Sequence, residues 1–202
     1  MRPFGFVAGA LACTIAACGS QDDGQTSTVS GTFAGQTVPS ADSAAFTGSA
    51  GSTAFLSEVI SNSAGVCSVA GQHVVKSSST RLQLLIVTSS QTEVGSIGPG
   101  RYAITNGEPA KDAAGTVVSV SADYNTLDAN CRPTIAGTAS AASSGTITVD
   151  SLTASRASGS FDLRFANGDH LVGSFGSPLC AAAAPTPAPA LATPAVATTC
   201  QE

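Results

Sequence analysis

The chain is poor in aromatic and charged side chains. Among its 202 residues there are no Trp, one Met, two His, two Tyr and eight Phe, and only 10% of residues are charged. The net charge is −5 and no cluster of Lys and Arg occurs, which argues against nucleic-acid binding because basic side chains must meet the phosphates. Gly, Ala, Ser and Thr are abundant instead, which indicates a β domain with thin layers of small side chains.

Signatures of common catalytic sites are lacking as well. The sequence contains no G-x-S-x-G, S-x-x-K, H-E-x-x-H or phosphate-binding G-x-x-x-x-G-K-[ST] pattern. Asp169 beside His170 is conceivable as a triad fragment, but a polar position on a solvent-facing hairpin explains it better. We interpret His73 as a loop residue, since neither histidine has ligand spacing to the other. The sequence therefore predicts no catalytic residue, no metal ligand and no cofactor.

Two further groups of polar residues are candidates for binding. Asn125, Asp128 and Asn130 come nearest to the alternating oxygen ligands of a calcium loop, although a polar surface loop closed by Cys131 explains them better. Tyr102 and Tyr124 are the aromatic residues with a polar tip that a sugar-binding face would use. Both lie at strand ends or starts, where tyrosine is commonly structural.

The first residues of the chain carry its most apolar run. Arg2 is followed by apolar or small residues from Phe4 to Ala17, which is the charge pattern and length of a secretory signal peptide. A transmembrane helix needs about 20 apolar residues, so this run is too short to cross a bilayer. We expect residues 1–17 to be removed from the 202, which leaves 185 residues and changes the net charge from −5 to −6, because Arg2 is the only charge removed.

A cysteine stands at the end of this run in a distinctive setting. Ile15-Ala16-Ala17-Cys18 is a branched aliphatic residue, two small residues and a cysteine. This segment resembles the lipobox of bacterial lipoproteins, and the resemblance covers about the first 20 residues. It implies cleavage before Cys18, stable anchoring by several acyl chains such as palmitate on that residue, and a place in the cell envelope. Gly19 stands where an Asp would favour inner-membrane retention, so the outer membrane is preferred. An ordinary secretory signal with an incidental cysteine is the alternative.

Composition divides the remaining chain into three parts. Residues 18–28 are the lipidated cysteine and a small, polar tether. Residues 29–180 are expected to form the β domain. Residues 181–202 are rich in Ala and Pro, and prolines at such spacing disfavour helix and sheet and favour an extended tail.

Short runs of β-branched and aromatic residues, separated by turn residues, predict antiparallel strands in the domain. The clearest hairpin covers residues 160–175, where Asn167-Gly168 predicts a type I′ turn. Further strands are predicted at 32–38, 54–60, 82–87, 101–104, 118–121 and 146–149. A two-turn helix is the alternative for residues 53–62. The expected fold is all-β, an antiparallel sandwich or an up-and-down barrel of about eight or nine strands.

Four cysteines follow Cys18, and an even number in an exported domain predicts disulfides rather than a metal site. Six predicted strands separate Cys67 from Cys180, which places both at the same end of a meander. Three separate Cys67 from Cys131, which places those two at opposite ends. The count favours Cys67–Cys180 and, by elimination, Cys131–Cys200, with the other two connectivities left open.

Together these features predict a lipid-anchored cell-envelope protein with a non-catalytic binding or structural role. Its expected partners are the membrane, through Cys18, and an envelope protein or glycan; the binding residues are not identified. A hydrolase with an unrecognised site is one alternative, and an adhesin or inhibitor that uses disulfide-fixed loops is another. An acid–His cluster in a deep pocket would favour the enzyme, and a groove with open strand edges would favour the binder.

Overall fold

The computed structural model describes residues 27–70, 74–90, 95–105, 108–112, 115–135, 140–180 and 199–201. The elements in these ranges are β1 (Thr28–Phe33), β2 (Gln36–Thr37), β3 (Asp42–Ala50), β4 (Thr53–Ser61), α1 (Val66–Ala70), β5 (Val74–Lys76), β6 (Thr80–Ser89), β7 (Gly100–Ala103), β8 (Ala110–Lys111), β9 (Val117–Thr126), β10 (Ala142–Leu152), β11 (Arg156–Phe165), β12 (His170–Pro178) and β13 (Thr199–Gln201). Eight of the described strands have six residues or more. The predicted all-β fold is confirmed.

The strands form two antiparallel sheets packed face to face. Sheet A has the order β2-β1-β12-β11-β10-β7, and sheet B has the order β3-β4-β6-β9-β8. Buried side chains from both sheets join in one hydrophobic cluster. The fold is therefore a sandwich, not a closed barrel. A separate parallel pair is formed by β5 and β13.

Alternation of side chains explains why these segments are strands. In β6, which lies in the middle of sheet B, Leu82, Leu84 and Ile86 are at most 2% exposed and face the core. In β4, Leu56 and Ile60 face the core in the same way, and the strand pairs along its whole length with β3 and β6. The helical alternative for residues 53–62 is therefore wrong.

The single strand predicted for residues 32–38 is wrong, because the chain reverses there. Phe33 pairs with Gln36, and the two residues between them, Ala34 and Gly35, have φ of 51° and 77°. Positive φ at both central residues defines a type I′ turn. The Ala34 N–H donates to Asp169 Oδ2 at 2.6 Å, and this contact from another loop helps to hold a conformation that alanine rarely adopts.

The hairpin predicted for residues 160–175 is confirmed, but its turn is of another type. The Gly168 N–H donates to the Phe165 carbonyl and the Phe165 N–H donates to the Asp169 carbonyl, each at 3.0 Å. Gly168 has φ of 90°, whereas Asn167 is not among the described residues with positive φ. The loop is therefore a type I turn followed by a left-handed glycine.

Two phenylalanines pack over glycines of the neighbouring strand in sheet A. Phe161 lies opposite Gly173, and Phe175 lies opposite Gly159. A Cβ atom at Gly159 would lie 2.0 Å from the Thr148 carbonyl oxygen and 2.5 Å from Cζ of Phe175. The rings therefore occupy the space that a side chain would need.

We expect Gly159→Ala to lower the free energy of unfolding by about 1–3 kcal/mol, because the methyl group must displace a ladder carbonyl and a buried ring. Gly98→Ala is the matched control, since a Cβ there would meet no atom within 4 Å. Urea denaturation of the two variants checks the prediction. Equal losses in both would contradict the proposed packing of Phe175 on Gly159.

The two sheets are joined by hydrogen bonds along both sides of the sandwich. On one side, the Cys180 N–H donates to the Ala45 carbonyl of β3 at 2.9 Å. On the other side, the chain leaving β7 crosses to sheet B, where the Thr105 N–H donates to the Val120 carbonyl of β9 at 3.0 Å. This crossing forms one end of the cleft described below.

Both predicted disulfides are present and the predicted connectivity is confirmed. Cys67 is bonded to Cys180 with a Cα–Cα distance of 5.4 Å, and Cys131 to Cys200 with a distance of 5.7 Å. Cys67 lies on α1, which contacts β3 and β4, rather than at the end of a strand. The first bond therefore fastens a helical layer to the end of sheet A.

The described helix, α1, is a short one. It has five residues, and none of the described ranges contains a helix that is long and apolar enough to cross a membrane. Beneath α1 and β5, a cavity of about 100 Å³ is lined by five valines, including Val59, Val66 and Val74, and by a similar number of polar side chains. We interpret this cavity as a packing gap between the helical layer and sheet B.

Candidate functional site

A cleft of about 540 Å³ lies where the outer strands β7 and β8 of the two sheets face each other. Residues 100–105 line it on the side of sheet A, and residues 108, 110–112 and 118 line it on the side of sheet B. Sites for small ligands have volumes of about 300–1,000 Å³, so the cleft is large enough to hold one.

Strand β7 turns one set of backbone groups toward this cleft. The Ile104 N–H donates to the Gly145 carbonyl at 3.0 Å, so the backbone groups of Ile104 point toward the partner strand β10. The backbone N–H and C=O groups of successive residues point to opposite sides of a strand. Those of Tyr102 therefore point toward β10, and those of Arg101 and Ala103 point away from it. Thr105 follows Arg101 and Ala103 at the same spacing, and its N–H donates to the Val120 carbonyl in sheet B. The N–H and C=O groups of Arg101 and Ala103 therefore point into the cleft.

Both ends of this free edge are closed. At one end, Thr105 binds the backbone groups of Val120 that a neighbouring strand would otherwise bind. Its Oγ1 accepts from the Val120 N–H at 3.0 Å, and its hydroxyl donates to the Val120 carbonyl at 3.2 Å. At the other end Pro99 has no N–H to offer. The described structure gives the backbone groups of Arg101 and Ala103 no hydrogen-bond partner between these two limits.

The floor of the cleft is apolar and its rim is charged. Tyr102, Ile104 and Val118 are half-buried against the core. The Tyr102 hydroxyl donates to the Gly98 carbonyl at 2.8 Å, which holds the ring in place. The exposed charged side chains on the rim are Arg101, Glu108, Lys111 and Asp112.

The two tyrosines singled out from the sequence have different environments. Tyr102 belongs to the cleft, as described above. Tyr124 is 2% exposed and its ring lies on Phe33, with ring centroids 4.3 Å apart. Burial raises the pKa of the Tyr124 hydroxyl, and a hydrogen bond to Thr80 acts in the opposite direction. Tyr124 is therefore a core residue and the sugar-binding candidate at this position is wrong.

His170 is paired with an acid, but not with its sequence neighbour. Its Nε2 lies 2.8 Å from Oδ1 of Asp162 on β11, and the two side chains are 40% and 59% exposed. Asp169 Oδ2 accepts from the Ala34 N–H instead. The predicted solvent-facing hairpin position of His170 is confirmed, and the pair lies on the open outer face of sheet A.

The calcium-loop candidate forms a turn. Asp128 Oδ1 accepts from the backbone N–H groups of Asn130 and Arg132, each at 2.8 Å, so this carboxylate oxygen closes the loop. Asn125 lies instead at the small cavity beside α1. Within the described ranges no three His, Cys, Asp or Glu residues are grouped for a metal ion.

Sequence reasoning missed one polar cluster inside the sandwich. Glu58 is 1% exposed, and its Oε1 accepts from the Ser177 hydroxyl. Ser177 Oγ lies 2.8 Å from Ser43 Oγ, which lies 2.7 Å from Ser27 Oγ. Glu58 Oε2 has no partner among the described groups. The alternation Ala54, Leu56, Glu58, Ile60 is the signal that could have placed this acid in the core.

Burial raises the pKa of Glu58 well above its ordinary value, and the hydrogen bond from Ser177 opposes this effect. Each serine hydroxyl has one hydrogen, so a Ser177 that donates to Glu58 Oε1 leaves Ser43 to donate to Ser177 and Ser27 to donate to Ser43. This arrangement is compatible with a protonated Glu58, because a neutral carboxyl can carry its hydrogen on Oε2 and still accept at Oε1. The cluster is enclosed between the sheets, so it acts on stability.

Several predicted features lie outside the described residues. These are the signal segment 1–17, Cys18, His73 and residues 181–198 of the Pro/Ala-rich tail. No protein family matches this chain, nor does any curated protein or solved structure. Its function must therefore be argued from its own residues.

Proposed function

We propose that the protein is a lipid-anchored cell-envelope protein whose β-sandwich binds a partner through the cleft between β7 and β8 rather than catalysing a reaction. The observation that carries this proposal is the free edge of β7 above an apolar floor. An open strand edge on a groove is a recurring recognition surface for proteins that bind extended partners.

The cysteines support a place outside the cytoplasm. All four cysteines after Cys18 are used in the two disulfides. Such bonds form and persist in oxidising compartments, including the bacterial periplasm and cell surface. The signal-like residues 1–17 and the lipobox-like Ile15–Cys18 support the same proposal of an exported domain.

The experiment is metabolic labelling with an alkyne analogue of palmitate in a bacterial host, followed by membrane fractionation. We expect the wild-type chain to be labelled and to sediment with membranes. Cys18→Ala should lose the label, because the thiol that receives the lipid is gone. Cys13→Ala is the matched control and should keep it, since Cys13 lies in the segment that is removed. A label that survives in Cys18→Ala would contradict the anchor.

A further inference from the structure

We propose that β7 binds an extended peptide segment of an envelope partner as an additional strand of sheet A. This inference rests on the binding function proposed above and names the chemistry of its partner. It concerns the free edge at Arg101 and Ala103, which has no neighbouring strand among the strands that the structure describes.

The first argument is the arrangement of backbone groups. Arg101 and Ala103 each turn one N–H and one C=O into the cleft, on one side of one strand. Two donors and two acceptors at strand spacing are complementary to the backbone of another strand. A sugar or a small acid does not carry donors and acceptors that alternate at strand spacing. The geometry therefore favours a peptide as the ligand.

The second argument is the floor. Side chains of an extended peptide alternate between two faces. A peptide paired with β7 would turn every second side chain toward Tyr102, Ile104 and Val118, which are apolar and half-buried. We therefore expect apolar residues at alternate positions of the peptide.

The third argument is the charge of the rim. Arg101 and Lys111 are balanced by Glu108 and Asp112, so the rim has no net charge. Arg101, however, lies on β7 itself and its exposed side chain is on the face opposite to Tyr102. We expect an acidic side chain at the outward position of the peptide that lies opposite Arg101, because opposite charges on paired strands attract.

The fourth argument is space. Strand β8 faces β7 across the cleft, and the chain crosses between the sheets at Thr105. The cleft of about 540 Å³ is bounded by β8, which favours a short single chain over the sheet edge of a second copy of this protein. Pro99 and Thr105 also keep the free edge short, which limits uncontrolled strand pairing.

The test is selection from a random heptapeptide phage library on the lipidated full chain, purified in detergent. Ala103→Pro removes the N–H that points into the cleft without removing a bond to β10, whereas Ala103→Val keeps it. We expect enriched peptides with alternating apolar residues, at least tenfold weaker binding to Ala103→Pro, and little change with Ala103→Val. Thermal unfolding of both variants checks that the fold is retained. Absence of enrichment, or equal binding to Ala103→Pro in its folded form, would overturn the proposal.

A second measurement tests the pairing itself. An enriched peptide is resynthesised with alternate backbone amides N-methylated, in one register and then in the other. A strand pairs along one edge, so only one register should abolish binding. Loss in both registers or in neither would overturn strand pairing. The labelling of Cys18 is read out separately, so a failed anchor and a failed peptide site are distinguishable.

Discussion

Replacing Glu58 with Gln is expected to raise the free energy of unfolding at neutral and alkaline pH. The gain over the wild type should increase with pH, by at most about 1.4 kcal/mol per pH unit. Glu58 is buried between the sheets with Oε2 unpartnered among the described groups, so its charged form is disfavoured in the folded protein. Glutamine keeps the shape and the contact with Ser177 but cannot ionise.

The sign follows from the raised pKa of Glu58 in the folded state. Below the ordinary pKa of glutamate, both folded and unfolded chains are protonated, and the wild type has its full stability. As the pH rises toward the folded pKa, only the folded chain must keep the proton, so stability falls. Burial also raises the pKa of Asp123, opposed by Arg81, but this effect is common to both proteins and cancels in their difference.

Urea denaturation from pH 4 to pH 9 measures this difference. At pH 4 the variant should have no advantage, because the amide N–H groups that replace Oε2 are themselves buried without an acceptor. Asp150→Asn, at an exposed carboxylate of β10, is the control and should leave the pH profile unchanged. A difference between Glu58→Gln and the wild type that is flat across this range would contradict the account of a buried, protonated Glu58.

Removing the Cys67–Cys180 bond by replacing both residues with Ala is expected to lower the free energy of unfolding by about 2–5 kcal/mol. The bond closes a loop of 113 residues, so its loss releases much of the unfolded chain. It also frees α1 from the end of sheet A. Urea denaturation at one pH gives the loss.

The second disulfide provides the comparison. Cys131–Cys200 closes 69 residues, and the loop-entropy relation predicts a loss smaller by only about 0.4 kcal/mol when both of its cysteines are replaced by Ala. Hydrogen exchange should distinguish the two, because α1 loses its covalent bond to the end of sheet A in the first variant alone. Unchanged stability in both variants would contradict the stabilising role of the bonds.

The strands that sequence could predict are those with one buried face. In β11, Phe161, Leu163 and Phe165 are buried while Asp162 and Arg164 are exposed, and such alternation is visible without coordinates. Strands of two or three residues, such as β2 and β8, are too short to leave a pattern. The turn at Ala34 was hidden for another reason, since a contact from Asp169 supports it from 135 positions away.

The cleft was out of reach of sequence reasoning because no local motif encodes it. It arises where Thr105 crosses to Val120, 15 residues away in sequence, and leaves the edge of β7 facing β8. Tyr102 was noticed as an amphipathic residue, but Arg101 and Ala103 take part through backbone groups that every residue has. Glu58 could have been noticed, since it shares a face with Leu56 and Ile60 in an alternating strand.

Mass spectrometry of the N-terminal fragment tests the central claim of a lipid-anchored domain most directly. The protein is produced in a bacterial host, extracted from membranes and digested. The account predicts a fragment that begins at Cys18 and carries acyl chains. A fragment that still contains residues 1–17, or one with an unmodified Cys18, would contradict it.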